Sequence, residues 1–222
     1  MKSFKWILSH AEAHAGKDII QARLPQVERA ETLRQLSDDR YLSTLSRRVF
    51  RAGLKHTLVD GKWPAFEQAF FGFDPLKVSL MSDEQLEALM QNKNLIRHWG
   101  KLKAVRHNAI MVRELGQDKG GFGVVIADWP EEEIVQLWLL LKKRGAQLGG
   151  QSASAFLRMV GKDTFRLTPD VVAALKAQGV IDKPPTAQRD LVRVQGAFNQ
   201  WREESGWPLG HISQVLAFTV GW

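Results

Sequence analysis

The sequence predicts an all-α fold, and three observations carry that expectation. Apolar residues recur at helical spacing, as in Leu42, Leu45, Val49 and Leu54, or Leu95, Trp99 and Leu102. Strand-like alternation is scarce, and the longest β-like run, Gly123-Val124-Val125-Ile126, is too short to carry a sheet. Helix start and stop signals punctuate the chain throughout.

In order, a first helix is expected from Leu24-Pro25, with proline at the first helical position. A second follows Ser37-Asp38-Asp39, where a cap and early acids suit the positive helix end. Lys62 to Phe71 reads as a short apolar helix ended by Gly72 and Asp74-Pro75. Ser82-Asp83-Glu84-Gln85 has the form of a capping box before Leu86 and Leu89. Asn94 to Leu115 continues at helical spacing. The glycine-bearing stretch Gly116 to Trp129 reads as looser, and as the boundary between two lobes. Pro130 and the acids Glu131, Glu132 and Glu133 then open a helix that Lys142-Lys143-Arg144-Gly145 closes. Leu148-Gly149-Gly150-Gln151 turns the chain into a helix from Ser152 to Val160, which completes a helix-hairpin-helix outline. Thr168-Pro169-Asp170 caps a helix to Gly179, and Thr186–Arg202 and Leu209–Val220 read as the last two.

Composition narrows the function. The 222 residues are 44% hydrophobic and 25% charged, which suits a globular fold and excludes a disordered tail. The absence of cysteine excludes a disulfide framework, a thiolate zinc site and a cysteine nucleophile. No apolar run reaches membrane-spanning length. Trp6-Ile7-Leu8 is too short for a signal-peptide core, so a cytoplasmic location is expected. Walker, dinucleotide-binding and Gly-x-Ser-x-Gly motifs are missing. With 31 Lys+Arg against 24 Asp+Glu, the net charge of +7 suits a polyanionic partner.

The charge is clustered. Asn92 to Arg113 holds Lys93, Arg97, Lys101, Lys103, Arg106 and Arg113 with no acid, and Lys142 to Arg166 holds six cations against Asp163 alone. Such patches neutralise phosphates, although a solvated helix face has the same look. In the hairpin, Gly149, Gly150, Gln151 and Ser152 would bring backbone amides to a phosphate, unless the segment is a plain αα-turn. Asp163, in the short connection Gly161-Lys162-Asp163-Thr164-Phe165, is either a turn residue or a reactive carboxylate. His10 and His14 share a helix face but lack a third ligand, so no metal site is expected.

Leu148-Gly149-Gly150-Gln151-Ser152-Ala153 followed by Gly161-Lys162-Asp163-Thr164 resembles the hairpin and catalytic-aspartate loop of helix-hairpin-helix DNA glycosylases, the endonuclease III superfamily. A longer stretch is similar to its branch called DNA-3-methyladenine glycosylase I. It includes Arg51-Ala52-Gly53-Leu54, Phe73-Asp74-Pro75-Leu76-Lys77-Val78, Leu95-Ile96-Arg97-His98-Trp99-Gly100-Lys101, Asn108-Ala109 and Leu141-Lys142-Lys143-Arg144-Gly145.

This resemblance implies a helix-hairpin-helix DNA glycosylase fold of two helical lobes with a cleft between them. Residues 1–60 plus 165–222 would form one lobe and 61–164 the other, with the helix-hairpin-helix at about 131–160. It implies excision of alkylated purines, 3-methyladenine first, from damaged double-stranded DNA flipped into a base pocket. Asp163 would act at the sugar, with Gly149, Gly150, Gln151, Ser152, Arg97 and Lys101 on the DNA backbone.

The departures are specific. The family's zinc, held by two cysteines and two histidines, has no counterpart, so neither metal nor other cofactor is expected. Its base-recognising glutamate is Arg48 here, and its Ser-Trp is Lys55-His56. Trp6 sits near the family's N-terminal tryptophan, so Trp6, Arg48 and His56 are the candidate base-pocket residues. The lysine of strand-cutting relatives is Gln151, which cannot form a Schiff base, so a monofunctional enzyme is expected. The expected protein is a monomer of bacterial type, working near the nucleoid. A non-catalytic helix-hairpin-helix DNA-binding protein is the alternative, and a helical protein with a small-molecule ligand a third.

Overall fold

A computed structural model describes residues 1–220. In chain order the helices are α1 (Phe4–Ala15), α2 (Lys17–Arg23), α3 (Ala30–Gln35), α4 (Asp38–Arg51), α5 (His56–Ala69), α6 (Pro75–Ser79) and α7 (Asp83–Leu89). They continue as α8 (Trp99–Gly116), α9 (Phe122–Asp128), α10 (Ile134–Arg144), α11 (Ser152–Met159), α12 (Pro169–Ala177), α13 (Gln188–Ser205) and α14 (Leu209–Ala217). Single 3₁₀ turns occupy Phe71–Phe73 and Glu131–Glu133. No strand occurs among the described residues, so the all-α expectation holds.

Several boundaries were readable because their chemistry is local. Ser82 and Gln85 form the reciprocal capping box, Thr168 caps α12 through the Val171 amide, and Asp74 caps α6 ahead of Pro75. Three expectations need correction. Leu24-Pro25 opens no helix, since α2 ends at Arg23 and the chain is extended at Leu24. Gly123-Val124-Val125-Ile126 lies within α9, so the stretch Gly116 to Trp129 is less loose than its glycines suggest. The helix read from Lys62 begins at His56 and runs through Pro64.

The chain divides into two compact units: residues 1–28, 129–138 and 161–222, and residues 29–128 and 139–160. In the first, α14 is the central helix, packed against α1, α2, α12 and α13, with Leu209, Ile212, Val215 and Leu216 fully buried. Phe165 stacks on Phe198 at 4.1 Å and meets the edge of Trp138 at 4.6 Å. Burying these rings adds to the unit's stabilisation.

In the second unit α4 and α8 pack together, flanked by α5, α6, α7, α9 and α11. A run of rings, Phe50, Trp63, Phe66, Phe70 and Phe73, fills the space between α4, α5 and the following turn. One half-buried polar network lies beside it. Arg40 holds Glu67 in a two-pronged pair at 3.0 and 2.9 Å, Ser43 donates to Glu67, and Trp63 donates to Ser43. α4 also reaches α9, because Asp38 accepts the Phe122 amide at 2.9 Å.

Candidate DNA-binding and catalytic elements

The hairpin between α10 and α11 is anchored on one side and open at its tip. Asn108, fully buried on α8, accepts from the Ala146 amide at 2.8 Å and donates to its carbonyl at 3.1 Å. Leu148 is buried just before the turn. Beyond it Gly149 and Gly150 are exposed, with nothing within 4 Å of where a β-carbon would stand. A side chain there would obstruct the approach of another backbone, which is the use the sequence suggested. Gln151 is the N-cap of α11. Ser152 is placed differently from expectation: it is buried, and its amide donates to the Gly149 carbonyl at 3.1 Å, inside the turn. Lys142 and Lys143 are exposed, whereas Arg144 pairs with Glu114 at 2.7 Å.

At the start of α8, His98 caps the helix and Arg97 is exposed beside it. Lys101 is not the surface cation that its neighbours suggested. It is buried, and its ammonium donates to the carbonyls of Phe50 at 3.2 Å and Ala52 at 2.6 Å, closing the C-terminus of α4. Desolvation, and then the positive charge of Arg48, push its pKa below the ordinary lysine value. Arg48 is half-buried in the last turn of α4, and His56 is exposed at the first residue of α5.

On α1, Trp6 is 43% exposed. Its ring stacks on His10 at 4.9 Å, His10 meets His14 at 4.6 Å, and the Lys2 ammonium lies 5.5 Å over Trp6. The i, i+4 histidines therefore extend a ring ladder. No group of three metal-ligating side chains occurs among the described residues.

The connection from Gly161 to Phe165 is buried at every residue. Gly161 has φ +84, and an added β-carbon would stand 2.4 Å from the Glu28 side chain, so glycine is required here twice over. Its carbonyl accepts the Glu28 amide at 2.8 Å. Lys162 reaches the Trp129 carbonyl and Glu131, the latter at 2.8 Å. Burial alone would raise the Glu131 carboxyl, but the hydrogen bond and charge of Lys162 hold it below the usual carboxylate value. Thr164 accepts from the Trp138 indole at 3.0 Å.

Asp163 is only 7% exposed. One carboxylate oxygen accepts the Leu209 amide at 2.9 Å, the other the Gly210 amide at 2.8 Å. These are the first two residues of α14, whose N-cap is Pro208 and which has no capping side chain of its own. These two hydrogen bonds and the positive helix end replace the water that burial removes from the carboxylate. A loop that buries charge needs all of these partners at once, since each unpaired group would cost several kcal/mol.

Sequence reasoning missed Asn108, Leu209 and Gly210, and gave Lys101 a different partner. Asn108 and Lys101 belong to quoted segments, but their carbonyl partners lie far along the chain. Leu209-Gly210 did carry a signal: a helix opening on Pro208 without Ser, Thr, Asp or Asn calls for a remote acceptor.

Comparison with known proteins bears on the family and the fold. The family model for methyladenine glycosylase matches residues 32–183. The DNA-3-methyladenine glycosylase of Haemophilus influenzae is 31% identical over 130 residues, 50% of this chain and 70% of that protein. Among solved structures, 3-methyladenine DNA glycosylase I of Staphylococcus aureus superposes with a TM-score of 0.52 at 22% identity, over 68% of this chain and 91% of that one. The 8-oxoguanine glycosylase/lyase of Methanocaldococcus jannaschii, solved with DNA containing 8-oxoguanine, gives 0.57 at 16% identity over 97% and 95%. These structures establish the helix-hairpin-helix glycosylase fold. Since the matched stretch takes in more than half of the sequence, the chain belongs to the methyladenine glycosylase family.

Proposed function

We propose that this protein is a monofunctional DNA glycosylase that hydrolyses the N-glycosidic bond of an alkylated purine, with 3-methyladenine as its substrate. The observation that carries the reading is Asp163, a buried carboxylate held in place by two backbone amides, in a member of this family. Departure of a purine leaves positive charge on the deoxyribose, and a fixed carboxylate stabilises such a charge at little reorganisation cost. Alkylation makes the base a cation and a good leaving group, so little proton donation is required of the protein.

The exposed Gly149-Gly150 tip, Gln151 and Arg97 contact phosphates, with Lys142 and Lys143 adding sequence-independent attraction. Lys101 supports from behind, by fixing the end of α4. Trp6, Arg48 and His56 are the candidate base contacts. Gln151 offers no amine, so the product is an abasic site. The protein works as a monomer on damaged duplex DNA in a bacterial-type cytoplasm, at the nucleoid. No described helix is long and apolar enough to cross a membrane.

One observation favours a second reading. Both oxygens of Asp163 are engaged by α14, as in a purely structural cap, and that suits a DNA-binding protein without catalysis. Chromatography of bases released from DNA methylated in vitro separates the two. The enzyme releases 3-methyladenine, and Asp163→Asn binds DNA but releases none; a wild-type protein that binds and releases nothing is the binding module.

A further inference from the structure

A cavity in the first unit is left unused by the proposed reaction. The chain leaves α12 through Gly179, and the Val180 amide returns to the Leu175 carbonyl at 3.0 Å. Val180 and Ile181 are buried, which fixes the following residues at the surface. Asp182 and Lys183 precede the stiff Pro184-Pro185 pair, and α13 then begins after Ala187, which supplies no capping side chain. A cavity of about 260 Å³ lies here, lined by Ile181, Asp182, Lys183, Arg189, Asp190 and Arg193.

Its charge is arranged rather than spent. Arg189 and Arg193 are one turn apart on the same face of α13, with Lys183 across from them in the loop. Arg189 has a single ion pair, to its neighbour Asp190 at 3.8 Å, and its side chain is 86% exposed. Such a pair is worth little, so the guanidinium is available to a better partner. Three cations against two acids leave a local charge of +1, to which the uncapped first turn of α13 adds in the same sense.

The lining also limits the ligand. Among the described residues no aromatic ring lines the cavity, so none of them offers a nucleobase a stacking face. Two carboxylates oppose a multiply charged free nucleotide, while one unit of surplus positive charge matches one phosphodiester. We propose that this cavity binds a backbone phosphate of duplex DNA, a contact additional to those of the hairpin. The inference rests on DNA being the partner, as proposed above.

The test is the salt dependence of duplex binding for wild type and the Lys183→Ala/Arg193→Ala double variant, with thermal melts to confirm folding. Losing one phosphate contact makes the log–log slope shallower by about 1. Phosphate-ethylation interference gives a second readout: one ethylated position weakens wild type and leaves the variant indifferent. Asp190→Asn, which removes an opposing charge, tightens binding at low salt. An unchanged slope with no lost interference position overturns the site, as does titration of adenosine monophosphate showing tighter binding than duplex. A wild type that releases no base while the variant still shows the slope change would sink the enzyme reading alone. An unchanged slope with base release intact would sink the phosphate site alone.

Discussion

Both oxygens of Asp163 cap α14, the central helix of its unit, and the same carboxylate is the one proposed to act at the sugar. Asp163→Asn retains one acceptor oxygen and loses the charge, so it should unfold at lower temperature by an amount equivalent to about 1 kcal/mol. It should also lose base release while duplex affinity is kept. Calorimetry and a release assay on the same preparation check both parts; a variant that melts lower yet excises normally leaves Asp163 a cap only. Lys101 makes the complementary case. Lys101→Met keeps most of the stem but strips the Phe50 and Ala52 carbonyls of their donor, at about 1–3 kcal/mol in denaturant unfolding. Were Lys101 a phosphate contact, the change would instead weaken DNA binding and leave stability alone. Asp163 could be singled out from the sequence because its loop follows a glycine hairpin. Lys101 could not be placed, because a charge count registers cations and is blind to the carbonyls that receive them.

At the scale of elements, local chemistry was legible and remote packing was not. The capping box and the Asp-Pro and Thr-Pro starts fix α7, α6 and α12 within their own sequence. The start of α5 was not legible: the helix begins at His56, six residues before the Lys62 expected, and carries Pro64 in its interior, where proline costs a backbone hydrogen bond. The glycines before Trp129 misled for another reason. A β-carbon on Gly123 would stand 2.8 Å from the Leu33 carbonyl and 3.0 Å from the Tyr41 ring, so this glycine lets α9 approach α3 and α4 closely. The α4–α5 pairing leads to a pH prediction. Burial would raise the Glu67 carboxyl, but hydrogen bonds from Arg40 and Ser43 and the Arg40 charge hold it below its usual value. A carboxylate with a depressed folded pKa contributes stability above its unfolded value, near 4.5, and loses it as pH falls through the folded one. Asp38 works the other way: desolvation outweighs the amides of Phe122 and Gly123 and raises its pKa, so its protonation eases acidification. Glu67→Gln should therefore lower stability at pH 7 and flatten the fall below pH 4.5, as followed by urea midpoints across that range. A fall as steep as wild type would place the acid sensitivity elsewhere.

For the whole molecule, the governing quantities are the surplus of seven positive charges and the identity of residue 151. The clusters read from the sequence do not all face solvent: Lys101 and Lys162 are buried and paired with backbone or Glu131, while Arg97, Lys142 and Lys143 are exposed. Phosphate attraction therefore falls to fewer groups than the composition suggests, and the salt slope of duplex binding should be smaller than a count of 31 Lys+Arg would give. The chemistry that follows binding ends at one bond. Strand cleavage needs an amine to attack the sugar carbon and a proton to be removed next to it, and the N-cap of α11 is a carboxamide. Methylated duplex incubated with the protein should release base and remain full length on a denaturing gel until hot alkali is added. Borohydride should trap no protein–DNA adduct at any time point. Scission before alkali, or a trapped adduct, would show that another amine has taken over the attack. Exposed Lys142 and Lys143 are then the first to replace with arginine, which keeps the charge and removes the nucleophile.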